Sequence, residues 1–365
     1  MTPVSQLIWR HRERLVPGGG VLLVNPPADD LAVQLRGLGC AVECHCLSQA
    51  SNAYQQARGI ESRFSLEPGP SSARDHVILY QPREKPLLRM LLDYGVTLTR
   101  ERGVFWLAGE NQAGIRSAGR QLASFFEDWR KADSARHCAL FEATRPRAGK
   151  VGAGDDWLAR HFEAWSFEIR GRSFTIHSLP GVFAHGRLDA GTAVLLEALT
   201  SGASGEPVGG RVLDFACGAG TIGIALAGFR PDIELTLLDD AWPAIESTRR
   251  SLAANGLDAQ VVASDGLTAL KPGSQPPFDW IVSNPPFHAG VRQELSVARR
   301  FFRDARDWLA PSGRLCLVGN VHLPYGRWLS ELFASVQVIA ADHGYHVWLA
   351  RQPAIRPHEE QARDS

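Results

Sequence analysis

Four short apolar runs organise the second half of the chain. They are Arg211-Val212-Leu213-Asp214-Phe215, Glu234 to Leu238, Gln260 to Ala263, and Trp280-Ile281-Val282. Each is too short for a helix and stops at a polar or glycine-bearing turn, which predicts buried strands. Thr221 to Phe229, with Ile222, Ile224, Ala225 and Leu226, follows the first run with helix-like apolar content. Strands alternating with helices predict an α/β unit, a mostly parallel twisted sheet with helices on both faces. Leu315-Cys316-Leu317-Val318 adds a further strand, and His343 to Leu349 is expected to form part of a final antiparallel hairpin.

The first half shows the same alternation. Gly20 to Val24, His76 to Tyr80 and Val104 to Leu107 predict strands with helical patterns between them. Around residues 144–156 the composition turns to glycine, arginine and proline, the mark of a connection between units. The expected organisation is an N-terminal domain over 1–148, a linker over 149–160, a second domain over 161–352 and a disordered tail over 353–365. The halves look related: His76-Val77-Ile78-Leu79-Tyr80-Gln81-Pro82 mirrors Trp280-Ile281-Val282-Ser283-Asn284-Pro285, with Gln81 read as the counterpart of the asparagine. The first copy has no glycine-rich turn after its first strand. Its Asn25-Pro26-Pro27 falls after the first strand, out of place for catalysis, and reads as a turn.

The chemistry concentrates in Asn284-Pro285-Pro286-Phe287, at the carboxyl end of the Trp280–Val282 strand, where ligands bind in open α/β sheets. Prolines lock φ and supply no N–H, so this turn offers acceptors rather than donors. The Asn284 amide oxygen and the Pro285 carbonyl can accept from one planar NH2 group while Phe287 stacks on the attached ring. That arrangement suits attack by a conjugated amine on an electrophilic carbon. Such chemistry needs positioning more than a strong base. His288 follows directly, either as a general base or as a structural or substrate-contacting side chain. A plain proline-rich turn is the alternative for the motif standing alone.

Upstream, Asp214-Phe215-Ala216-Cys217-Gly218-Ala219-Gly220 carries a strand into a glycine turn. Gly218 and Gly220 let the backbone approach a ligand, and the following helix N-terminus favours negative charge. Asp239 ends the next strand about twenty residues on, placed to grip ribose hydroxyls. Ser264-Asp265 ends the third, placed to meet an adenine edge. Gly218 to Gly223 also satisfies G-x-G-x-x-G, so a nicotinamide dehydrogenase is the competing reading. Asp214 argues against it, because a carboxylate near the turn would repel a pyrophosphate and welcome an ammonium or sulfonium group.

Composition changes the picture in three places. The 365 residues, 44% of them hydrophobic, are enough for two cores. The 39 basic residues balance 39 acidic ones, so attraction to RNA must come from local patches. Candidates are Arg10, Arg12 and Arg14; Arg83, Lys85 and Arg89; and Arg299, Arg300, Arg303 and Arg306, of which Arg299, Arg303 and Arg306 share a helical face or simply form a solvated one. Six scattered cysteines, including Cys40, Cys44 and Cys46 beside His45, complete no zinc framework and read as small buried thiols. No stretch reaches membrane-spanning length. A cytoplasmic protein with reduced thiols is expected.

Together these segments resemble the class I S-adenosylmethionine-dependent methyltransferases, and Asn-Pro-Pro-Phe narrows the likeness to enzymes acting on exocyclic amino groups or side-chain amides. The resemblance implies Asp214, Gly218 and Gly220 around the methionine end of S-adenosylmethionine, Asp239 on the ribose, and Asp265 with Gly266 near the adenine. It implies Asn284, Pro285 and Phe287 on the target base, and makes Leu188-Asp189-Ala190-Gly191-Thr192 a cofactor-flanking stretch through Asp189, Gly191 and Thr192. Gly109-Glu110-Asn111-Gln112-Ala113-Gly114-Ile115-Arg116-Ser117, Asp133-Ser134-Ala135-Arg136 and Leu179-Pro180-Gly181-Val182-Phe183 are similar to the ribosomal RNA small subunit methyltransferase C family. That likeness implies two tandem Rossmann-like methyltransferase domains, the N-terminal one degenerate and used for substrate binding and support. It implies methylation of the 2-amino group of a guanine in 16S rRNA, by a monomer acting on the small ribosomal subunit, with no metal and no membrane. Ala216 departs from the glycine usual in the family. The alternatives are a large-subunit 23S rRNA guanine-N2 methyltransferase, a protein glutamine methyltransferase and a non-enzymatic ribosome-assembly binder.

Overall fold

The computed structural model describes every residue except 16, 68–73, 148–156, 272, 274, 286–291 and 354–365, and the side chains of 292–295 and 352–353. The chain divides into two units: Met1–Phe162 with Leu179–Gly181 and Ala241–Pro243, and Glu163–Ser178 with Val182–Asp240 and Ala244–Ser365.

The first unit holds a seven-stranded sheet: β1 (Gly20–Val24), β2 (Ala41–His45), β3 (Glu61–Arg63), β4 (Arg74–Tyr80), β5 (Thr99–Glu110), β6 (Phe126–Ala135) and β7 (Cys138–Pro146). Their order is β3-β2-β1-β4-β5-β7-β6. The first five run parallel and the β6–β7 hairpin closes the edge antiparallel. The central strands are buried on both faces, as in the run Val77, Ile78 and Leu79, which is why the sequence shows solid apolar blocks there instead of alternation. Helices such as Leu31–Gly37 and Lys85–Thr97 supply the cover; the latter buries Leu87, Leu88, Leu91, Leu92 and Tyr94 at helical spacing.

The second unit adds a short hairpin, β8 (Glu163–Ile169) and β9 (Arg172–Ser178), which the sequence pattern did not announce. Its main sheet holds β10 (Arg211–Phe215), β11 (Glu234–Asp239), β12 (Gln260–Ala263), β13 (Phe278–Ser283), β14 (Leu309–Asn320), β15 (Phe333–Asp342) and β16 (Tyr345–Pro353). The order is β12-β11-β10-β13-β14-β16-β15. The expected strands and the helix Thr221–Phe229 all form, and the final hairpin turns through His343 and Gly344, both at positive φ.

Topology and register show that the two units are copies of one plan. Each sheet carries the same order. In β4–β5 the pairing slips between Arg74 and His76, and in β13–β14 between Phe278 and Trp280, the same step in each copy. The hairpins slip alike, between Lys131 and Asp133 and between Val338 and Ala340. Register also corrects the expected alignment of the two turns. His76 pairs in its sheet as Trp280 does in its own, so Tyr80 is the counterpart of Asn284, and Gln81 that of Pro285. Leu23 and Cys46 likewise stand where the second unit has Asp214 and Asp239.

Residues 157–162, expected within the linker and at the start of the second domain, pack in the first unit. Trp157 stacks on Tyr94 at 5.2 Å between centroids, and His161 lies 3.4 Å from Asp93. The rest of the expected linker, 149–156, lies outside the described residues, as does the expected tail beyond Pro353. All six cysteines are buried free thiols.

The slip in β13–β14 depends on a residue without a side chain. A Cβ at Gly313 would sit 2.9 Å from Ala310 N, Ala310 O and Phe278 O, all backbone atoms with nowhere to go. Gly313→Ala is expected to lower unfolding free energy by about 2 kcal/mol or more in urea titrations; a loss below about 0.5 kcal/mol would contradict this reading of the slip.

Candidate active site

The strand order reverses between β10 and β13, so their carboxyl ends splay and leave a crevice. Three elements meet there: the turn after β10, the turn after β13, and the N-terminus of the helix Ala190–Ser201. Asp189 caps that helix, its Oδ2 accepting the Thr192 N–H at 2.9 Å. The same oxygen accepts from Asn284 Nδ2 at 3.1 Å, and Thr192 Oγ1 accepts from it at 3.0 Å. The Asp189 carboxylate can only accept, so it demands the nitrogen side of the carboxamide, and the Thr192 hydroxyl, able to donate or accept, accepts from that same nitrogen. Its oxygen is therefore the atom left for a ligand. Gly191 lies beside this cluster, where a Cβ would meet the Tyr345 ring at 3.0 Å. Ser283, just before the turn, ties β13 to β10 by donating to the Phe215 carbonyl at 2.7 Å. Pro285 is buried. Phe287 and His288 lie outside the described residues.

The turn after β10 takes up left-handed backbone three times, at Ala216 (φ 56°), Gly218 (φ 58°) and Gly220 (φ 81°). Glycine adopts this readily, whereas an alanine there costs about 1 kcal/mol. Ala216 thus holds left-handed backbone without a glycine's freedom, and the turn still forms. Asp239 Oδ2 accepts the Gly218 N–H at 2.9 Å, and Thr248 donates to the Gly218 carbonyl at 2.9 Å. A carboxylate already occupies the amide that a dinucleotide fold would turn toward pyrophosphate, which weighs against the dehydrogenase reading more directly than Asp214 does.

Asp214 itself needs correction. It was expected near the methionine end of the cofactor, yet it is fully buried, because the alternation of β10 points it at the covering helix. Its Oδ2 accepts the Gly223 N–H at 2.8 Å, and its Oδ1 has no partner. Burial pushes its pKa up to about 7, the Gly223 N–H opposes this, and the nearby Asp239 charge adds to it. Asp214 holds the first turn of the Thr221–Phe229 helix and presents no face to the crevice.

Beside the turn lies a cavity of about 260 Å3. Asp239 and Asp265 line it as polar groups, Gly266 forms part of its wall, and Phe215, Leu238 and Phe301 give it an apolar lining. Phe215 and Phe301 stack at 3.7 Å between centroids and 5° between planes. An apolar lining with the Asp239 and Asp265 carboxylates among it suits a nucleoside, with apolar surface for the base and carboxylates to accept from sugar hydroxyls and a base amine. The residues present therefore fit S-adenosylmethionine. Phe301 was not anticipated, and Arg300, expected in an RNA-attracting patch, lines this cavity instead, 3.9 Å from Asp265. Both come from the helix Arg292–Trp308, and nothing in sequence spacing ties that helix to the cavity.

The expected arginine patches fare differently. Arg299 pairs with Glu331 at 3.4 Å, Arg306 with Asp307 at 3.5 Å, and Arg300 with Asp304 at 3.4 Å. Arg10 pairs with Asp133, Arg12 with Glu13 and Arg14 with Glu142. These two groups are largely neutralised. Arg83, Lys85 and Arg89 are exposed and enter no ion pair among the described residues. Also among these residues, no cluster of three His, Cys, Asp or Glu side chains could hold a metal ion, and no helix is long and apolar enough to cross a membrane.

The family described as methyltransferase small domain matches residues 173–349, and its N-terminal companion matches residues 5–161. The ribosomal RNA small subunit methyltransferase C of Hahella chejuensis is 37% identical over 352 residues, covering 95% of this chain and 97% of that protein. The protein of the same name from Stutzerimonas stutzeri is also 37% identical, covering 96% and 99%. The chain belongs to the ribosomal RNA small subunit methyltransferase C family. A solved structure, the T. thermophilus 16S rRNA N2 G1207 methyltransferase in complex with AdoMet and guanosine, matches with a TM-score of 0.82 at 28% identity, covering 96% of this chain and 92% of that one. The family expectation of two methyltransferase domains in tandem holds.

Asp214 also yields a test. Its carboxyl titrates higher in the folded chain than in the unfolded one, so between about pH 4 and pH 7 the folded state binds more protons and stability falls as pH rises. Asp214→Asn removes that dependence. Urea midpoints of the variant relative to the parent are expected to climb from pH 4 to pH 7 and level off above; a pH-independent difference would contradict the buried, proton-binding role.

Proposed function

We propose that this chain transfers the methyl group of S-adenosylmethionine to the 2-amino group of a guanine in 16S rRNA. The observation that carries this reading is the Asn284 carboxamide, whose nitrogen is held by Asp189 and Thr192 so that its oxygen faces outward. That oxygen and the Pro285 carbonyl accept from the two hydrogens of an exocyclic amine and draw its lone pair out of conjugation. Phe287 stacks on the base. The cofactor supplies a methyl carbon made electrophilic by its sulfonium; Asp239 and Asp265 hold its sugar and adenine, and the Gly218–Gly220 turn passes its amino-acid end. Rate then comes from orientation and fixed dipoles.

The small-subunit context supports a substrate that is structured RNA, from which the target base must be flipped outward. The reading also includes a monomer working in the cytoplasm, where ribosomal RNA is processed. A large-subunit substrate is disfavoured by the segments Gly109–Ser117 and Asp133–Arg136.

Incubating small subunits with labelled S-adenosylmethionine, then mapping the modified nucleotide, tests this directly. The expected product is a single N2-methylguanine in 16S rRNA. Label on an adenine, on large-subunit RNA or on protein would overturn the assignment.

A further inference from the structure

The frame around Asn284 is built twice. In the first unit Thr2 caps the helix Pro3–Trp9, its hydroxyl accepting the Ser5 N–H at 3.2 Å, and the Ser5 and Tyr80 hydroxyls bond at 2.7 Å. In the second unit Asp189, Thr192 and Asn284 stand in the places of Thr2, Ser5 and Tyr80. Between the cap and the hydroxyl residue lies Val4 in one copy and Gly191 in the other. The closing strands match as well. β7 begins at Cys138, paired with Glu110 at the end of β5, and β16 begins at Tyr345, paired with Asn320 at the end of β14. Cys138 is therefore the counterpart of Tyr345.

These two positions have changed together. The first unit sets a branched Val4 and a small Cys138 in one core cluster, both buried. The second unit has lost the side chain on the helix and gained a half-buried ring on the strand. A Cβ at Gly191 would lie 3.0 Å from Cδ1 and Cε1 of Tyr345, and 3.1 Å from Asp189 Oδ2. The ring thus fills the space that a side chain at residue 191 would take, as close packing requires. Gly191 stands between the two groups that hold the Asn284 amide, and glycine has the most permissive backbone of any residue. Left free, it would let Asp189 and Thr192 shift against each other. A flat ring packed on it does not.

We infer that Tyr345 is a positioning residue for methyl transfer: its ring braces Gly191 and so keeps Asp189 and Thr192 together on the Asn284 carboxamide. The contact is made by ring carbons, so the role asks nothing of the phenol hydroxyl. The inference rests on the reading of Asn284 as the group that orients the target amine.

The test compares the full-length parent with Tyr345→Phe, Tyr345→Cys and Tyr345→Leu, the last keeping most of the buried volume in case the cysteine variant does not fold. Methylation of small subunits gives kcat and KM, and calorimetry gives S-adenosylmethionine affinity. Hydrogen exchange is read at Thr192 and Ala193, whose N–H groups bond to the Asp189 carboxylate and the Asp189 carbonyl. Tyr345→Phe should match the parent throughout. The cysteine and leucine variants should exchange these two amides about tenfold faster and lose about tenfold in kcat, with KM and cofactor affinity changed less than about twofold. In an Asn284→Ala background the same substitutions should cost almost nothing further in kcat. A raised KM at unchanged kcat would put the ring on the substrate and overturn the inference. An equal loss in Tyr345→Phe, or additive losses with Asn284→Ala, would do the same. Failure of the parent to methylate any RNA would defeat the proposed function instead; unchanged exchange at Thr192 and Ala193 in the cysteine and leucine variants would still overturn the brace.

Discussion

One side-chain amide, turned the right way round, is the constraint on which the rest of this site depends. Asn284 has a donor end and an acceptor end of nearly equal shape, and only the acceptor end can draw on an amine. The Asp189 carboxylate, which can only accept, settles the choice, and the Thr192 hydroxyl on the same short stretch accepts from the same nitrogen. Asp189 also caps its own helix, so the helix cannot form properly without placing the group that orients Asn284. The strand end that carries Asn284 is fixed in turn by the Ser283 hydroxyl on the Phe215 carbonyl. The bonds that orient Asn284 are thus also the ones that cap the helix and tie the strand end.

The two units show what duplication preserves and what it lets go. Backbone devices survive in both: strand order, the slips in pairing, and glycines at Gly103 and Gly313 whose missing side chains face backbone atoms at 3.0 Å or less. These are constraints of packing, and any copy that lost them would lose its sheet. Side-chain chemistry is free to drift once one copy suffices. Leu23 and Cys46 are both buried, filling as core the positions where the second unit spends aspartates. The first unit keeps its crevice because the reversal of strand order creates one whatever the residues are.

Much of this was legible in sequence because strands buried on both faces write themselves as apolar blocks, and because turns at their ends carry proline, glycine and aspartate. Hence Asp189, Asp239, Asp265 and Asn284 could be singled out in sequence, and the fold sets Asp189 against Asn284 and Asp239 with Asp265 along one cavity. Asp214 was misread: it sits one residue before the strand's end, and a single step in a strand swaps the faces. It was expected beside the glycine turn and the methionine end of the cofactor, whereas the fold buries it under a helix. The arginine groups misled for a different reason. Helical spacing shows which arginines share a face, but the neutralising acids, Glu331 and Glu142 among them, come from distant segments. The Phe301 side of the cavity beside the β10 turn was invisible on the same grounds.

The most direct measurement of the central claim is a double-mutant cycle on kcat between Thr192→Val and Asn284→Ala, with S-adenosylmethionine affinity followed by calorimetry. Asn284→Ala should cost on the order of a hundredfold in kcat while cofactor affinity stays nearly constant. If Thr192 acts by turning the Asn284 amide, its loss should cost about tenfold in the parent and almost nothing once Asn284 is gone. Fully additive losses, or a large fall in cofactor affinity on removing Asn284, would contradict the account.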